Sequence, residues 1–155
     1  KIAEHIIKNN KINFLNIRLP GVLSYKLSDP RRPWLNYIIS ELKMNKNISI
    51  FNKNFLFNSV IDTYEIFFFL KSQIERKKMK NGTINLIASR PLQLFKLINS
   101  IKEKINSKSK VFYKTNKSLE NNIIHSSNIV KKTYKFEVAT TSKIIDRFLI
   151  NSKNN

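Results

Sequence analysis

The feature that most constrains the fold is the run 12–19, which reads INFLNIRL and is apolar at five of its eight positions, two of them adjacent. A strand with one face in water alternates apolar and polar residues, whereas a strand of a parallel sheet is buried on both faces and is apolar almost throughout. The run is followed at once by Pro20-Gly21, which ends it. We therefore expect an inner strand of a parallel sheet that stops at a Pro-Gly turn.

Helical and extended segments alternate along the rest of the chain. Apolar residues recur at helical spacing in some segments, and short apolar runs with β-branched residues mark others. The predicted helices cover 2–10, 34–44, 63–77, 91–105, 126–133 and 140–150, and the predicted strands after 12–19 cover 48–51, 55–61, 83–89 and 111–114, with a loop at 25–33. This alternation indicates an α/β fold with a parallel sheet.

The helix predicted over 63–77 has an almost wholly apolar middle, so we expect it to be well buried. Trp34 and Phe67–Phe69 follow the same spacing and are predicted to be core residues. Asp62 and Glu65 stand at the start of this helix, where carboxylates cap the backbone and favour the helix dipole. Paired carboxylates can also do acid–base chemistry, but capping is the simpler explanation.

Cysteine is absent, which excludes disulfides, thiol chemistry and cysteine-bound zinc. Neither His5 nor His125 has a second ligand at a recognised metal spacing, so we expect no metal and interpret both as surface or satisfied histidines. No apolar run is long enough to span a membrane, and the first ten residues lack the pattern of a signal peptide. Because the chain starts at Lys1, we expect a processed product or a fragment.

The formal net charge is +19, from 29 lysines and arginines against 10 acidic residues. Such a charge is typical of nucleic-acid-binding domains, so a basic α/β module that binds nucleic acid is one hypothesis. The basic residues are spread along the chain, however, and the sequence is rich in Lys, Asn, Ile and Phe, as drift towards A/T-rich codons would produce. We therefore expect that nucleic acid is not the partner.

Four motifs in the same order resemble the C-terminal half of the NAD-dependent epimerase/dehydratase family, the extended short-chain dehydrogenases/reductases that act on nucleotide sugars. They are KIAEHII (1–7), FLNIRLPGVLS (14–24), FNSVIDTYEIFFFL (57–70) and GTINLIASRPLQLFKLINSI (82–101). The stretch 123–149 is similar to the two closing helices of that family. The resemblance implies the C-terminal part of a Rossmann-like doubly wound sheet plus a small mixed α/β substrate-binding subdomain, together spanning 1–155.

The resemblance also implies a cofactor, NAD or NADP, a nucleotide-sugar substrate, a cytoplasmic location and a possible homodimer of the full-length protein. The glycine fingerprint that cradles the dinucleotide is absent, as is the tyrosine of the Tyr-x-x-x-Lys pair. The catalytic lysine would lie just before Lys1, so no catalytic residue is assigned to this chain. Asp62 and Glu65 stand where the family commonly has His and Asp, so a degenerate, non-catalytic relative is a further hypothesis.

Site residues follow from the resemblance and from the position of strand ends. Ligands of doubly wound sheets bind beyond the carboxyl ends of the strands, so Pro20, Gly21 and Val22 are predicted to contact the nicotinamide end of the cofactor, unless they form an ordinary turn. The predicted substrate-binding residues are Arg31, Arg32, Asn58 and Arg90. Guanidinium groups suit a diphosphate, although solvated loop charges explain Arg31, Arg32 and Arg90 as well.

Arg18 interrupts the apolar strand 12–19. A buried arginine needs partners, so Arg18 is predicted to be structural and paired with Glu4 or Asp62.

Overall fold

The computed structural model describes residues 13–23, 34–76, 80–116 and 124–152. The predicted helix 2–10 and the predicted loop 25–33 lie outside these residues. Within them, strands and helices alternate as the sequence predicts, which confirms the α/β class. The strands are β1 (Leu15–Arg18), β2 (Gly21–Leu23), β3 (Ile48–Phe51), β4 (Leu56–Phe57), β5 (Val60–Asp62), β6 (Gly82–Asn85), β7 (Leu92–Gln93) and β8 (Val111–Lys114); the helices are α1 (Trp34–Lys43), α2 (Thr63–Ile74), α3 (Leu94–Lys104), α4 (Asn128–Tyr134) and α5 (Thr141–Asn151).

The strands form pairs that are mostly parallel. Parallel pairing joins β1 to β6, β2 to β5 and β3 to β8, whereas β4 and β7 pair antiparallel. After β6 the chain passes from the first parallel pair (β1 and β6) to the second (β2 and β5). Along this stretch Leu86 N donates to Arg18 O and Ala88 N donates to Val60 O, each over 3.0 Å. Hydrogen bonds therefore link the first two pairs at the ends of β1 and β6.

The predicted strand 12–19 ends at Arg18, and the predicted strand 55–61 is divided in two. Pro20, which has no backbone N–H, separates β1 from β2. Asn58 and Ser59 divide the predicted strand 55–61 into β4 and β5. The helix predicted over 91–105 begins only at Leu94.

The core lies between the strand pairs and the amphipathic faces of α1, α3 and α5. These helices turn aliphatic residues inward at helical spacing, and Asn36 of α1 and Thr141 of α5 are buried with them. Fully buried side chains from them include Leu35, Ile39, Leu42, Leu97, Ile98, Ile101, Ile144 and Phe148. No helix of the described ranges is long and apolar enough to cross a membrane.

The prediction that the helix over 63–77 is well buried is wrong. Only Glu65, Phe69 and Gln73 of α2 are buried, and Phe67 is 59% exposed. Trp34 is 43% exposed, so of the predicted aromatic core residues only Phe69 lies in the core. On the inner side of α2 the buried Glu65 binds Arg147 of α5, while most of the apolar residues of the helix are exposed.

Candidate functional site

A cleft of about 310 Å³ lies where β1 and β6 end. The two strands run parallel with Arg18 opposite Asn85, so both carboxyl ends meet at one edge. In open α/β sheets this edge is where ligands bind. The residues that line the cleft are Arg18, Leu19, Pro20, Ser59, Asn85, Ile87 and His125.

Pro20 lines this cleft, and Gly21 and Val22 follow it in β2. Gly21 is paired with Val60, directly after Ser59, so two chain segments enter their strands side by side at the cleft. Val22 is half-buried and packs against the core. Of the three predicted cofactor contacts, Pro20 is thus a lining residue, while Gly21 and Val22 form the adjoining strand.

Asn58 is buried beside the cleft and holds two segments of the chain together. Its Nδ2 donates to Ala88 O over 3.1 Å and to His125 O over 2.8 Å. An amide nitrogen has two hydrogens, so both are used within the protein. Asn58 therefore positions the segment that carries His125.

Sequence reasoning assigned only Pro20 of these lining residues to the site, and His125 is the one most distant in sequence from the others. It lies 67 positions from Asn58, whose side chain holds its carbonyl oxygen. No local pattern in the sequence marks it, since only the fold brings residues 124–127 to the end of β6. Of the lining residues, Arg18 carries a positive charge and none carries a negative one.

The expectation that Arg18 is buried is wrong; of its two expected partners, Glu4 lies outside the described residues. Arg18 is exposed at the end of β1, where it lines the cleft. The carboxylate of Asp62 binds Arg147 instead, with Arg147 Nε 2.9 Å from Asp62 Oδ2. Burial of β1 is partial, so its last residue reaches the open edge of the sheet.

Arg90 is not among the residues that line this cleft. It is exposed, with a left-handed φ of 48°. The preceding residue, Ser89, bridges to the start of α5, since its N donates to Ala139 O and its O accepts from Thr141 N, each over 3.0 Å. The charge of Arg90 acts on Glu137, whose pKa is lowered chiefly by a hydrogen bond from Lys131 and also by Arg90.

Arg31 and Arg32 lie outside the described residues. Among the residues that the structure describes, no three His, Asp or Glu side chains come together as a possible metal site.

Asp62 caps α2, as predicted, and Glu65 is the residue whose backbone it caps. Asp62 Oδ1 accepts from Glu65 N over 3.0 Å. Both carboxylates also bind Arg147, whose Nη2 lies 2.8 Å from Glu65 Oε1. Burial lowers the pKa of Arg147, but the hydrogen bonds and charges of Glu65 and Asp62 outweigh that effect and raise it overall. The two carboxylates are therefore structural anchors of α5.

A second cleft, of about 380 Å³, lies at the carboxyl ends of β3 and β8. Its lining combines the basic residues Lys53 and Lys114 with the aromatic residues Phe55 and Tyr113. Burial raises the pKa of Tyr113, and its hydroxyl donates to Asn99 Oδ1 over 3.1 Å. Cations next to flat rings suit a ligand that carries both phosphate and an aromatic base.

No model of a protein family matches the chain, and no curated protein matches it in sequence. Solved structures match it closely in fold. UDP-glucose 4-epimerase from Thermotoga maritima, solved with UDP-glucose, is similar over 99% of this chain and 50% of its own chain, with a TM-score of 0.73 and 11% identity.

Two further structures are similar in the same way. UDP-N-acetylglucosamine 4-epimerase from Bacillus cereus has a TM-score of 0.73 and 12% identity, over 99% of this chain and 51% of its own. dTDP-glucose 4,6-dehydratase from Bacillus anthracis, solved with NAD, has a TM-score of 0.68 and 9% identity, over 99% and 49%. The chain thus spans about half the length of these structures and has a partial Rossmann-like α/β fold.

Proposed function

We propose that the chain is the C-terminal portion of an NAD- or NADP-dependent enzyme that epimerises, dehydrates or reduces a nucleotide sugar. In this proposal the cleft beside Pro20 forms the wall at the nicotinamide end of the cofactor site. The observation that carries the proposal is the position of this cleft at the carboxyl ends of the parallel strands β1 and β6. The likeness in fold to epimerases and a dehydratase of nucleotide sugars supports it.

The lining of the cleft fits one end of a dinucleotide and not the whole. Its volume of about 310 Å³ is at the lower end of the range of about 300–1,000 Å³ for small-molecule sites. Leu19, Pro20 and Ile87 offer apolar walls to a flat ring, and Ser59 and Asn85 offer polar groups to a carboxamide. When bound, the nicotinamide would accept a hydride from a sugar carbon and return it.

The chain's own residues would bind and orient rather than transfer protons. Leu19, Pro20 and Ile87 would exclude water from one side of the ring, and Ser59 and Asn85 would orient its carboxamide. Asn58 would keep the His125 segment in place through its two hydrogen bonds. The basic and aromatic cleft at the ends of β3 and β8 would take part of the nucleotide sugar.

The pyrophosphate of the cofactor would be held by another part of the enzyme. The sequence has only two glycines, Gly21 and Gly82, whereas a glycine-rich turn is what lets the backbone approach a pyrophosphate. The 155-residue chain alone should therefore bind NAD weakly.

An NMR titration tests this assignment. We expect that nicotinamide mononucleotide, at concentrations of about 1–10 mM given the small contact area, shifts the amide signals of Gly21, Ser59, Asn85 and His125. AMP, the other half of NAD, is the matched control and should leave these four signals unchanged. Shifts confined to other residues, or tight binding of whole NAD to this chain, would overturn the assignment.

A further inference from the structure

Asn81 is the asparagine of this chain that is followed by glycine, because the other glycine, Gly21, follows Pro20. An asparagine in this position can lose ammonia without an enzyme, since the backbone nitrogen of the next residue can attack its side-chain carbonyl carbon. A side chain on the next residue hinders that attack, and glycine has none. Asn81 is exposed, so water can reach the site. Asn81 is therefore the asparagine of the sequence whose amide is least hindered from reacting.

The fold uses both residues of this pair. Asn81 Oδ1 accepts from Phe14 N over 2.9 Å and joins the chain before β6 to the chain before β1. Gly82 lies so close to Tyr134 that a Cβ there would be 2.8 Å from the hydroxyl oxygen of Tyr134. A larger residue at position 82 would therefore push against Tyr134. Packing thus favours glycine at the position that makes Asn81 reactive.

Three hydrogen bonds hold the pair in the folded chain. Besides the bond to Asn81 Oδ1, Phe14 accepts through its carbonyl oxygen from Gly82 N over 3.1 Å. On the other side of the segment, the hydroxyl of Tyr134 donates to Lys80 O over 3.2 Å. The attacking nitrogen and the carboxamide that it would attack are therefore both bound to Phe14.

Loss of ammonia requires these bonds to break. The Gly82 nitrogen must give up the proton that it donates to Phe14 O, and the main chain must rotate to close a cyclic imide. Gly82 is the first residue of β6, which is paired with β1 and therefore extended. The start of a strand can open at a lower free energy than the whole domain. The rate of the reaction in the folded chain should therefore follow the opening of this end of β1 and β6.

We propose that Asn81 is a site of spontaneous covalent modification, which the fold keeps latent through Phe14 and Tyr134. When the start of β6 opens, the Gly82 nitrogen bonds to Asn81 Cγ and the Cγ–Nδ2 bond breaks. The Nδ2 group leaves as ammonia and takes the proton of the Gly82 nitrogen. Water then hydrolyses one of the two carbonyl–nitrogen bonds of the imide, which leaves aspartate or isoaspartate at position 81. This proposal does not depend on the proposed function.

The two products differ in their effect on the fold. Aspartate keeps an oxygen that can accept from Phe14 N, so this contact is preserved. Isoaspartate adds a methylene to the main chain, which displaces the Gly82 nitrogen from Phe14 O. We therefore expect isoaspartate to weaken the start of the β1–β6 pair.

Peptide mapping by mass spectrometry tests the proposal on the 155-residue chain, incubated in mildly alkaline buffer with and without urea. In urea, Asn81 should convert faster than every other asparagine, and both products should form. In the folded chain its conversion should be at least about tenfold slower, because the pair must first open. In Asn81→Gln the longer side chain forms a cyclic imide far more slowly, so this variant should lose the fast release of ammonia in urea.

Tyr134→Phe tests the hold of the fold on the pair. This variant lacks the hydroxyl that donates to Lys80 O, so Asn81 should convert roughly threefold faster or more in the folded chain, and at an unchanged rate in urea. The matched control is Tyr113→Phe, which removes a hydroxyl bound to Asn99 and should leave both rates unchanged. Circular dichroism checks that both variants are folded.

Three results would each overturn the proposal. The first is conversion of Asn81 as fast in the folded chain as in urea. The second is faster conversion of another asparagine in urea. The third is a folded Tyr134→Phe variant in which Asn81 converts no faster than in Tyr113→Phe.

Discussion

The side chain of Arg147 is joined to the carboxylate of Asp62 by two hydrogen bonds, from Nε to Oδ2 over 2.9 Å and from Nη2 to Oδ1 over 3.2 Å. Asp62 is fully buried and also caps α2. The pair therefore ties the last helix of the described chain to the start of α2, at the end of β5.

Replacing Arg147 by methionine should destabilise the fold, because it leaves the buried carboxylates of Asp62 and Glu65 without their cation. We expect a loss of about 2–3 kcal/mol in the free energy of unfolding, measured by urea denaturation, less than for a fully buried pair because Arg147 is partly exposed. The control is Arg147→Met in an Asp62→Asn, Glu65→Gln background, where the cost should be much smaller. An equal loss of stability in both backgrounds would contradict the role of Arg147 as the cation that pairs with Asp62 and Glu65.

The amide of Asn58 should not tolerate replacement by a carboxylate. Asn58→Ala removes two hydrogen bonds and should cost about 1–3 kcal/mol. Asn58→Asp should cost more, because a carboxylate oxygen would then face the carbonyl oxygens of Ala88 and His125. Urea denaturation gives the stabilities, and hydrogen exchange of residues 124–127 should increase in both variants. An aspartate variant as stable as the original protein would refute the positioning role of Asn58.

Gly82 and Tyr134 should be coupled in a double-mutant cycle. A Cβ at Gly82 would lie 2.8 Å from the hydroxyl oxygen of Tyr134, which is buried and donates to Lys80 O. Gly82→Ala should therefore cost about 1–3 kcal/mol. In a Tyr134→Phe background the clash is absent and the cost should fall by roughly 1 kcal/mol. If the effects of the two substitutions on stability are additive, the Cβ of residue 82 and the hydroxyl of Tyr134 are not in contact.

The fold should lose stability in alkali partly through Tyr134. Burial raises the pKa of its hydroxyl above the ordinary 10.0, so above pH 10 the unfolded chain releases this proton more readily than the folded one. Stability is fully present below that pH and is lost as the pH rises, by at most roughly 1.4 kcal/mol per pH unit for one group. Tyr134→Phe should reduce this slope in urea denaturation between about pH 9 and pH 11. If stability falls equally with pH in the original protein and in Tyr134→Phe, this role of Tyr134 is contradicted.

Much of the fold could be predicted because it depends on local patterns. The apolar run before Pro20 predicted a strand of a parallel sheet, and apolar residues at helical spacing predicted helices where α1, α3 and α5 lie. The burial of α2 could not be predicted, because the carboxylate of its buried Glu65 is paired with Arg147, which lies more than 80 positions further on. His125 was missed for the same reason, since the Asn58 side chain that holds it is distant in sequence.

Calorimetric titration of NAD into the longer polypeptide, with the coding sequence upstream of residue 1 included, tests the central claim most directly. We predict that the added sequence contains a glycine fingerprint and a Tyr-x-x-x-Lys pair that ends just before Lys1. The longer polypeptide should bind NAD at least about 100-fold more tightly than residues 1–155 alone, because the pyrophosphate site is then present. An upstream sequence without these motifs, or a longer polypeptide that binds NAD no more tightly, would contradict the proposed function.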